Sequence, residues 1–294
     1  MNKVGFIGVG IMGKSMVRNL MKAGFELHIY ARTKSKVKDV IGEGAQFHES
    51  IKDCVQDCDA VITIVGFPQD VEEVYFDEGN ILDSAKEGAY LIDMTTTSPQ
   101  IAEKIYAEGT KRGFHVMDAP VTGGDTGAKA GTLSILVGGE KEDYEACMPL
   151  FEAMGTNINY QGKAGCGQHC KLANQIMIAG TLSGVCEALT YAKEQGLDPE
   201  VFMKSVATGA AGSKQLDTFG PKILKDDYAP GFFMKHFIKD MKLALIEANR
   251  KGLSLDVLSM VLANYEELEQ EGYGDLGTQA LMKFYDEEHR NTEE

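Results

Sequence analysis

The chain reads as an α/β protein whose first half forms a doubly wound, largely parallel sheet and whose second half is all helical. Three observations predict this: short apolar runs alternate with amphipathic stretches, a glycine-rich turn follows the first run, and strand patterns cease after Gly165. The runs at residues 4–8, 27–30, 60–65, 90–93 and 115–117 are the predicted strands, with helices at 11–23, 35–41 and 99–112 between them. Such a rhythm calls for parallel strands joined by helical crossovers. Two more strands, 132–137 and 156–160, flank a helix at 141–154. From Gly167 the pattern is helical: a long apolar segment to residue 195, then 199–208, a turn-rich stretch, 234–251, 255–271 and 277–286. The glycine-punctuated link Gly162-Lys163-Ala164-Gly165 marks the expected boundary. It gives domains 1–165 and 166–294, with an interdomain helix over 166–195 and a charged, frayed tail from 286 to 294.

Composition narrows the function classes. Among 294 residues, 44 are acidic and 29 are lysine or arginine, a formal charge of −15 that repels a phosphate backbone, so nucleic acid is not an expected partner. The six cysteines are too few for a disulfide scaffold in a chain this long and read as free thiols in a reducing compartment, which points to the cytoplasm. Cys54 and Cys58, and likewise Cys166 and Cys170 with His169 beside them, have the spacing to share a helix face. The recurring short-spacing pairs of metal modules are absent, so no metal site is expected. The apolar run at 4–9 has strand length, shorter than a signal-peptide core. The longest apolar stretch, 172–192, contains Asn174, Gln175 and Glu187 and reads as a buried helix rather than a membrane span.

Gly8-Val9-Gly10-Ile11-Met12-Gly13 follows the first strand and opens the first helix. In that context G-x-G-x-x-G is the fingerprint of a Rossmann-type dinucleotide site: the first glycine for the turn, the second for approach of the pyrophosphate, the third for helix packing. Gly8, Gly10, Ile11, Met12 and Gly13 are the expected cofactor contacts there, with Val65 at the end of the third strand. Cofactor choice is set after the second strand, where an acidic residue would hold the ribose 2′-hydroxyl of NAD. Ala31 stands at that position, and Arg32, Thr33 and Lys36 can meet a 2′-phosphate. NADP is therefore expected, with NAD as the alternative; the competing reading is that Arg32 and Lys36 only begin an exposed helix.

Three further motifs fall where ligands of such sheets bind: Asp93-Met94-Thr95-Thr96-Thr97-Ser98-Pro99, Asp118-Ala119-Pro120-Val121-Thr122-Gly123-Gly124, and Gly167-Gln168-His169-Cys170-Lys171-Leu172-Ala173-Asn174. Together with the glycine turn, in this order, the set resembles the β-hydroxyacid dehydrogenase family over nearly the whole chain. The family includes 3-hydroxyisobutyrate dehydrogenases, tartronate semialdehyde reductases and glyoxylate/succinic semialdehyde reductases. The resemblance implies that Lys171 is the catalytic lysine and Asn174 its partner. It also implies that Thr122, Gly123 and Gly124 bind the substrate carboxylate and that Thr96 lies near the nicotinamide ribose. Lys239 would help close the site, a cleft between the domains, over cofactor and substrate. Many members carry serine where this chain has Thr122, so the added methyl narrows the pocket.

The chemistry of the residues agrees. Hydride reduction of a carbonyl builds negative charge on oxygen, which a lysine can meet as proton donor and cation. Lys171 and Asn174 are three apart, hence on one helix face. His169 and Cys170 are consecutive and cannot share a face, which disfavours a Cys/His nucleophilic pair. His236 and the Ala211-Gly212-Ser213-Lys214 turn are further candidates for substrate contact, and the 14 methionines read as core and crevice fillers. The expected substrate is a small acidic carbonyl or hydroxyacid, and the long apolar helix predicts a homodimer or homotetramer, with no membrane partner. An imine reductase of the same architecture and a non-catalytic NADPH-sensing protein are the alternatives; Lys171 argues against both.

Overall fold

The computed structural model describes residues 1–285. The chain divides into two compact units, Met1–Lys171 and a second that starts at Leu172. The first holds a nine-stranded sheet made of β1 (Lys3–Ile7), β2 (Glu26–Tyr30), β3 (Gln46–Phe47), β4 (Ala60–Thr63), β5 (Tyr90–Asp93), β6 (His115–Asp118), β7 (Val121–Thr122), β8 (Leu133–Gly139) and β9 (Gly155–Gly162). Its order is β3-β2-β1-β4-β5-β6-β8-β7, with β9 on the other side of β8. The strands from β3 to β6 pair in parallel, β8 runs antiparallel to β6 and β7, and β9 is parallel to β8.

The helices of this unit are α1 (Ile11–Lys22), α2 (Lys38–Gly42), α3 (Ile51–Val55), α4 (Pro68–Phe76), α5 (Ile81–Ser84), α6 (Pro99–Lys111), α7 (Gly124–Ala130), α8 (Lys141–Ala146) and α9 (Met148–Met154). Successive side chains of a strand point to opposite faces, so two cores form. Val4, Phe6 and Ile62 join Met16, Leu20 and Phe151 in one cluster, while Ile7 and Val61 join Tyr75, Leu91 and Ile105 in the other. A sheet buried on both faces explains why its strands read as continuous apolar runs. From β1 the chain steps outward to β2 and β3, then returns to place β4 on the other side. That reversal opens a crevice beyond Ile7 and Thr63, which pair across β1 and β4.

The break between units falls inside α10 (Cys166–Glu194). The second unit continues with α11 (Pro199–Val206), α12 (Lys214–Ile223), α13 (Met234–Arg250), α14 (Asp256–Gln270) and 3-10 turns at Tyr273–Asp275 and Thr278–Tyr285. Its core gathers Leu182, Cys186 and Leu189 of α10 with Phe237, Met241, Val261, Tyr265 and Leu268. The rings of Phe237 and Tyr265 meet edge to face at 5.4 Å, and the buried Tyr265 hydroxyl donates to the Thr278 carbonyl at 2.7 Å. By length and composition α10 could cross a membrane. Its Leu172, Ala179, Leu182, Cys186 and Leu189 recur at helical spacing and lie in this core.

Several boundaries differ from the sequence expectation. The helix expected at 141–154 breaks at Cys147 into α8 and α9, because Pro149 at the start of α9 has no N–H to continue the ladder. The stretch 35–41 forms a 3-10 turn, Lys34–Val37, before α2, and the segment from 277 is 3-10 rather than α-helical, with residue 286 and the expected tail outside the described residues. The turn-rich stretch holds α12, whose Ser213 caps it by accepting from the Leu216 N–H.

Candidate active site

At the crevice, Gly8 has φ +98°, and a Cβ there would sit 2.1 Å from the Ile64 carbonyl oxygen. A Cβ on Gly13 would sit 2.2 Å from the Gly8 carbonyl oxygen, so helix α1 can lie against the turn only without it. Gly10 is different: its φ is −87° and a Cβ would meet nothing within 4 Å. Neither backbone conformation nor packing inside the chain requires that glycine. The space it leaves lies at the start of α1, whose N-cap has no side-chain bond and whose first turn has no acidic residue. Unpaired N–H groups there, with the helix dipole behind them, suit an anionic diphosphate, and the turn fits the dinucleotide that its motif implies.

Ala31, Arg32 and Thr33 follow β2. The Arg32 side chain is 73% exposed, and its Nη1 lies 3.2 Å from Asp70 Oδ1. The same Asp70 accepts from the Phe67 N–H at 2.9 Å and so caps α4. Thr33 and Lys36 are exposed beside it. Arg32 is thus held at the surface by one carboxylate, with guanidinium N–H groups to spare for a phosphate.

The ends of β4, β5 and β6 are tied together by buried polar bonds that sequence reasoning did not foresee. Asp93 Oδ1 accepts from the Thr63 hydroxyl at 2.7 Å and from the Thr95 N–H at 3.1 Å, and the Thr95 hydroxyl accepts from the Val65 N–H at 3.0 Å. Burial pushes the Asp93 carboxyl up to about 6, against hydrogen bonds from Thr95 and Thr63 that favour its charged form. Asp118 is also raised by burial, opposed by the N–H groups of Gly165 and Gln168, each donating to it at 2.8 Å. Gln168 in turn donates from Nε2 to the Thr95 carbonyl at 2.7 Å and accepts the Thr97 N–H at 3.0 Å. Thr96 sits between those two anchors, and Lys171, 7% exposed, stands one turn beyond Gln168 on α10. Thr122 ends β7, and Gly123 and Gly124 continue it with φ of +128° and +63°, a turn open to glycine.

In the second unit a buried chain joins two of the predicted residues. Asn174 Nδ2 donates to Gln175 Oε1 at 2.8 Å, Gln175 Nε2 donates to Asp240 Oδ2 at 2.7 Å, and Lys239 Nζ lies 3.1 Å from Asp240 Oδ1. Asp240 is fully buried, so this contact is an ion pair in a desolvated setting. Sequence reasoning missed both Asp240, whose one signal is its place after Lys239, and Gln175, whose one signal is its place after Asn174. His236 packs against the rings of Phe232 and Phe233, and burial followed by the charge of Lys239 lowers its pKa. Ser213 of the candidate turn is engaged in capping α12.

All six cysteines are free thiols. Cys54 and Cys58 donate to the His28 and Cys54 carbonyls at 3.3 and 3.1 Å, and burial pushes the Cys58 thiol up to about 12. His169 is exposed and Cys170 half-buried, its thiol raised by burial. Among the described residues no group of three or more His, Cys, Asp or Glu side chains could hold a metal ion.

Known proteins resemble this chain along both of its halves. Residues 3–162 match the family described as the NAD binding domain of 6-phosphogluconate dehydrogenase. Residues 165–285 match that described as the NAD-binding of NADP-dependent 3-hydroxyisobutyrate dehydrogenase. The chain is 49% identical to an uncharacterized oxidoreductase of Bacillus subtilis, YkwC, over 96% of this chain and 98% of that one. It is 44% identical to the probable 3-hydroxyisobutyrate dehydrogenase-like 1, mitochondrial, of Arabidopsis thaliana, over 95% of this chain and 84% of that one. Among solved structures, the 3-hydroxyisobutyrate dehydrogenase of Mycobacterium tuberculosis with L-serine superimposes with a TM-score of 0.88 at 26% identity, covering 96% of this chain and 98% of that one.

Proposed function

The chain belongs to the β-hydroxyacid dehydrogenase family and is an NAD(P)-dependent hydroxyacid dehydrogenase; we propose that it works with NADP(H) on a small β-hydroxyacid or the matching semialdehyde, with Lys171 as general acid and base. The observation that carries this reading is the buried Lys171, set one turn after a helix start that is hydrogen-bonded to the ends of β5 and β6. When bound, the nicotinamide gives or takes the hydride. Gly8, Gly10, Ile11, Met12 and Gly13 would cradle the diphosphate, Val65 would contact the cofactor, Thr96 would lie near the nicotinamide ribose, and Arg32, Thr33 and Lys36 would hold the 2′-phosphate. Ala31 in place of an acidic residue and the exposed guanidinium of Arg32 support NADP over NAD.

Lys171 donates a proton to the carbonyl oxygen in reduction and takes the hydroxyl proton in oxidation. Asn174 is assigned the role of partner to Lys171, and Thr122, Gly123, Gly124 and Lys239 that of binding the substrate carboxylate, with Lys239 assigned to the cofactor as well. The L-serine named with the mycobacterial relative is itself a small β-hydroxyacid, which supports the substrate class. In this reading residues 1–165 bind cofactor and 166–294 serve substrate and self-association as a cytoplasmic homodimer or homotetramer.

A panel of small semialdehydes and β-hydroxyacids, run with NADPH and NADH in parallel, tests the proposal. NADPH should give the higher kcat/KM, and Lys171→Ala should lower kcat by about 10²- to 10⁴-fold, the range of general acid–base catalysis. A preference for NADH overturns the role of Arg32, and a Lys171→Ala enzyme near full turnover overturns that of Lys171.

A further inference from the structure

The first turn of α10 is seated on the sheet with little freedom. A Cβ on Gly167 would lie 2.4 Å from the Leu136 carbonyl oxygen and 2.7 Å from that of Asp118. A Cβ on Gly138, in β8, would lie 2.8 Å from the Gly167 nitrogen. Asp118 then holds the Gly165 and Gln168 N–H groups from the end of β6. These contacts fix the main chain that leads to Lys171, but they do not reach the Thr95–Thr97 segment.

Gln168 does. Its side chain is fully buried, and both ends of its amide are spent on main-chain groups more than 70 positions away, on either side of Thr96. A planar amide that donates to one peptide and accepts from the next but one fixes that segment in orientation as well as distance. We infer that Gln168 is a positioning residue that sets Lys171 in register with the Thr96 segment, so that proton donor and nicotinamide-side loop move as one piece. The inference rests on the role of Lys171 proposed above. Misplacement by about 1 Å in such an arrangement can cost on the order of 10²-fold in rate without loss of binding.

Two variants test it. Gln168→Met keeps length and volume and removes both bonds. Gln168→Glu keeps the acceptor for the Thr97 N–H and loses only the donor to Thr95 unless its carboxyl is protonated. For Gln168→Met, kcat should fall about 10- to 100-fold. The dissociation constant for NADPH and the substrate KM should stay within about threefold, and the primary deuterium isotope effect on kcat should rise. For Gln168→Glu, the ratio of variant to wild-type kcat should climb as pH is lowered, because the protonated carboxyl restores an O–H donor to Thr95. A role confined to folding would lower the melting temperature and leave that ratio flat.

Lys171→Ala is measured beside them. If it keeps turnover, the reading of Lys171 is at fault. If it loses turnover while Gln168→Glu holds within threefold of wild type with a pH-independent ratio, the positioning role is overturned alone. Should Gln168→Met fail to fold, Gln168→Glu decides the matter.

Discussion

Asp93 shows how much a single side chain can owe to its surroundings. In the sequence it ends a predicted strand and opens one of the motifs on the ligand side of the sheet. In the fold it is 3% exposed, and its bond to Thr63 comes from a strand 30 positions earlier. No local pattern announces that burial, whereas Lys171, Thr96 and Thr122 are singled out in the sequence because each sits in a motif. Burial raises the carboxyl to about 6, above the roughly 3.9 of an unfolded chain. The folded state therefore holds its proton where the unfolded state has lost it. The stability carried by protonated Asp93 is complete below about pH 4 and is lost as pH rises to about 6, a change on the order of 3 kcal/mol. Asp93→Asn stays neutral throughout. The stability of wild type minus that of this variant, from denaturant titrations, should fall between pH 4 and 6 and level off above. A difference that stays constant from pH 4 to 7 contradicts the raised carboxyl.

The β1–turn–α1 element separates two uses of glycine that sequence alone merges. Gly8 and Gly13 are demanded by the chain's own packing, whereas Gly10 faces open space. Gly13→Ala forces a methyl against the Gly8 carbonyl and should cost about 1–3 kcal/mol or more. Gly10→Ala exchanges one N-cap for a poorer one, a cost of about 1 kcal/mol at most, yet it fills the place where the diphosphate would lie. Thermal melts and NADPH titrations on both variants should show Gly13→Ala losing mainly stability and Gly10→Ala losing mainly affinity, by tenfold or more. Equal affinity for wild type and Gly10→Ala would remove the phosphate from that space. The long helices of this fold were readable because α1 and α13 carry clear periodicity and α10 is apolar over most of its length, and β1 and β5 were readable as continuous apolar runs. Short ones were not: α3 and α5 have 5 and 4 residues, too few for a period to show, and β3 and β7 have two each. The break at Cys147 was hidden because apolar spacing continues across it while Pro149 interrupts only the hydrogen bonds.

At the scale of the whole molecule, charge and apolar surface pull self-association in opposite directions. Each chain carries a formal −15, so two copies repel. The second unit nevertheless exposes Met177 on α10 by 74% and Val257 and Met260 on α14 by 59% and 52%. They form one patch: a Cβ on Gly180 would lie 3.7 Å from Val257, Met177 is a turn before Gly180, and Met260 is a turn after Val257. An apolar patch made of two helices suits a self-complementary contact about a two-fold axis. Sedimentation velocity should therefore show a species of at least twice 32.0 kDa, and Val257→Glu with Met260→Lys should return it to the single-chain mass. Because the contact is apolar and the repulsion is screened over about 10 Å at 0.1 M salt, raising ionic strength from about 0.01 to 0.15 M should tighten the assembly. An assembly that salt dissociates would instead be held by ion pairs, and wild-type protein that stays at the single-chain mass at every salt concentration would leave this patch without a second copy to cover it.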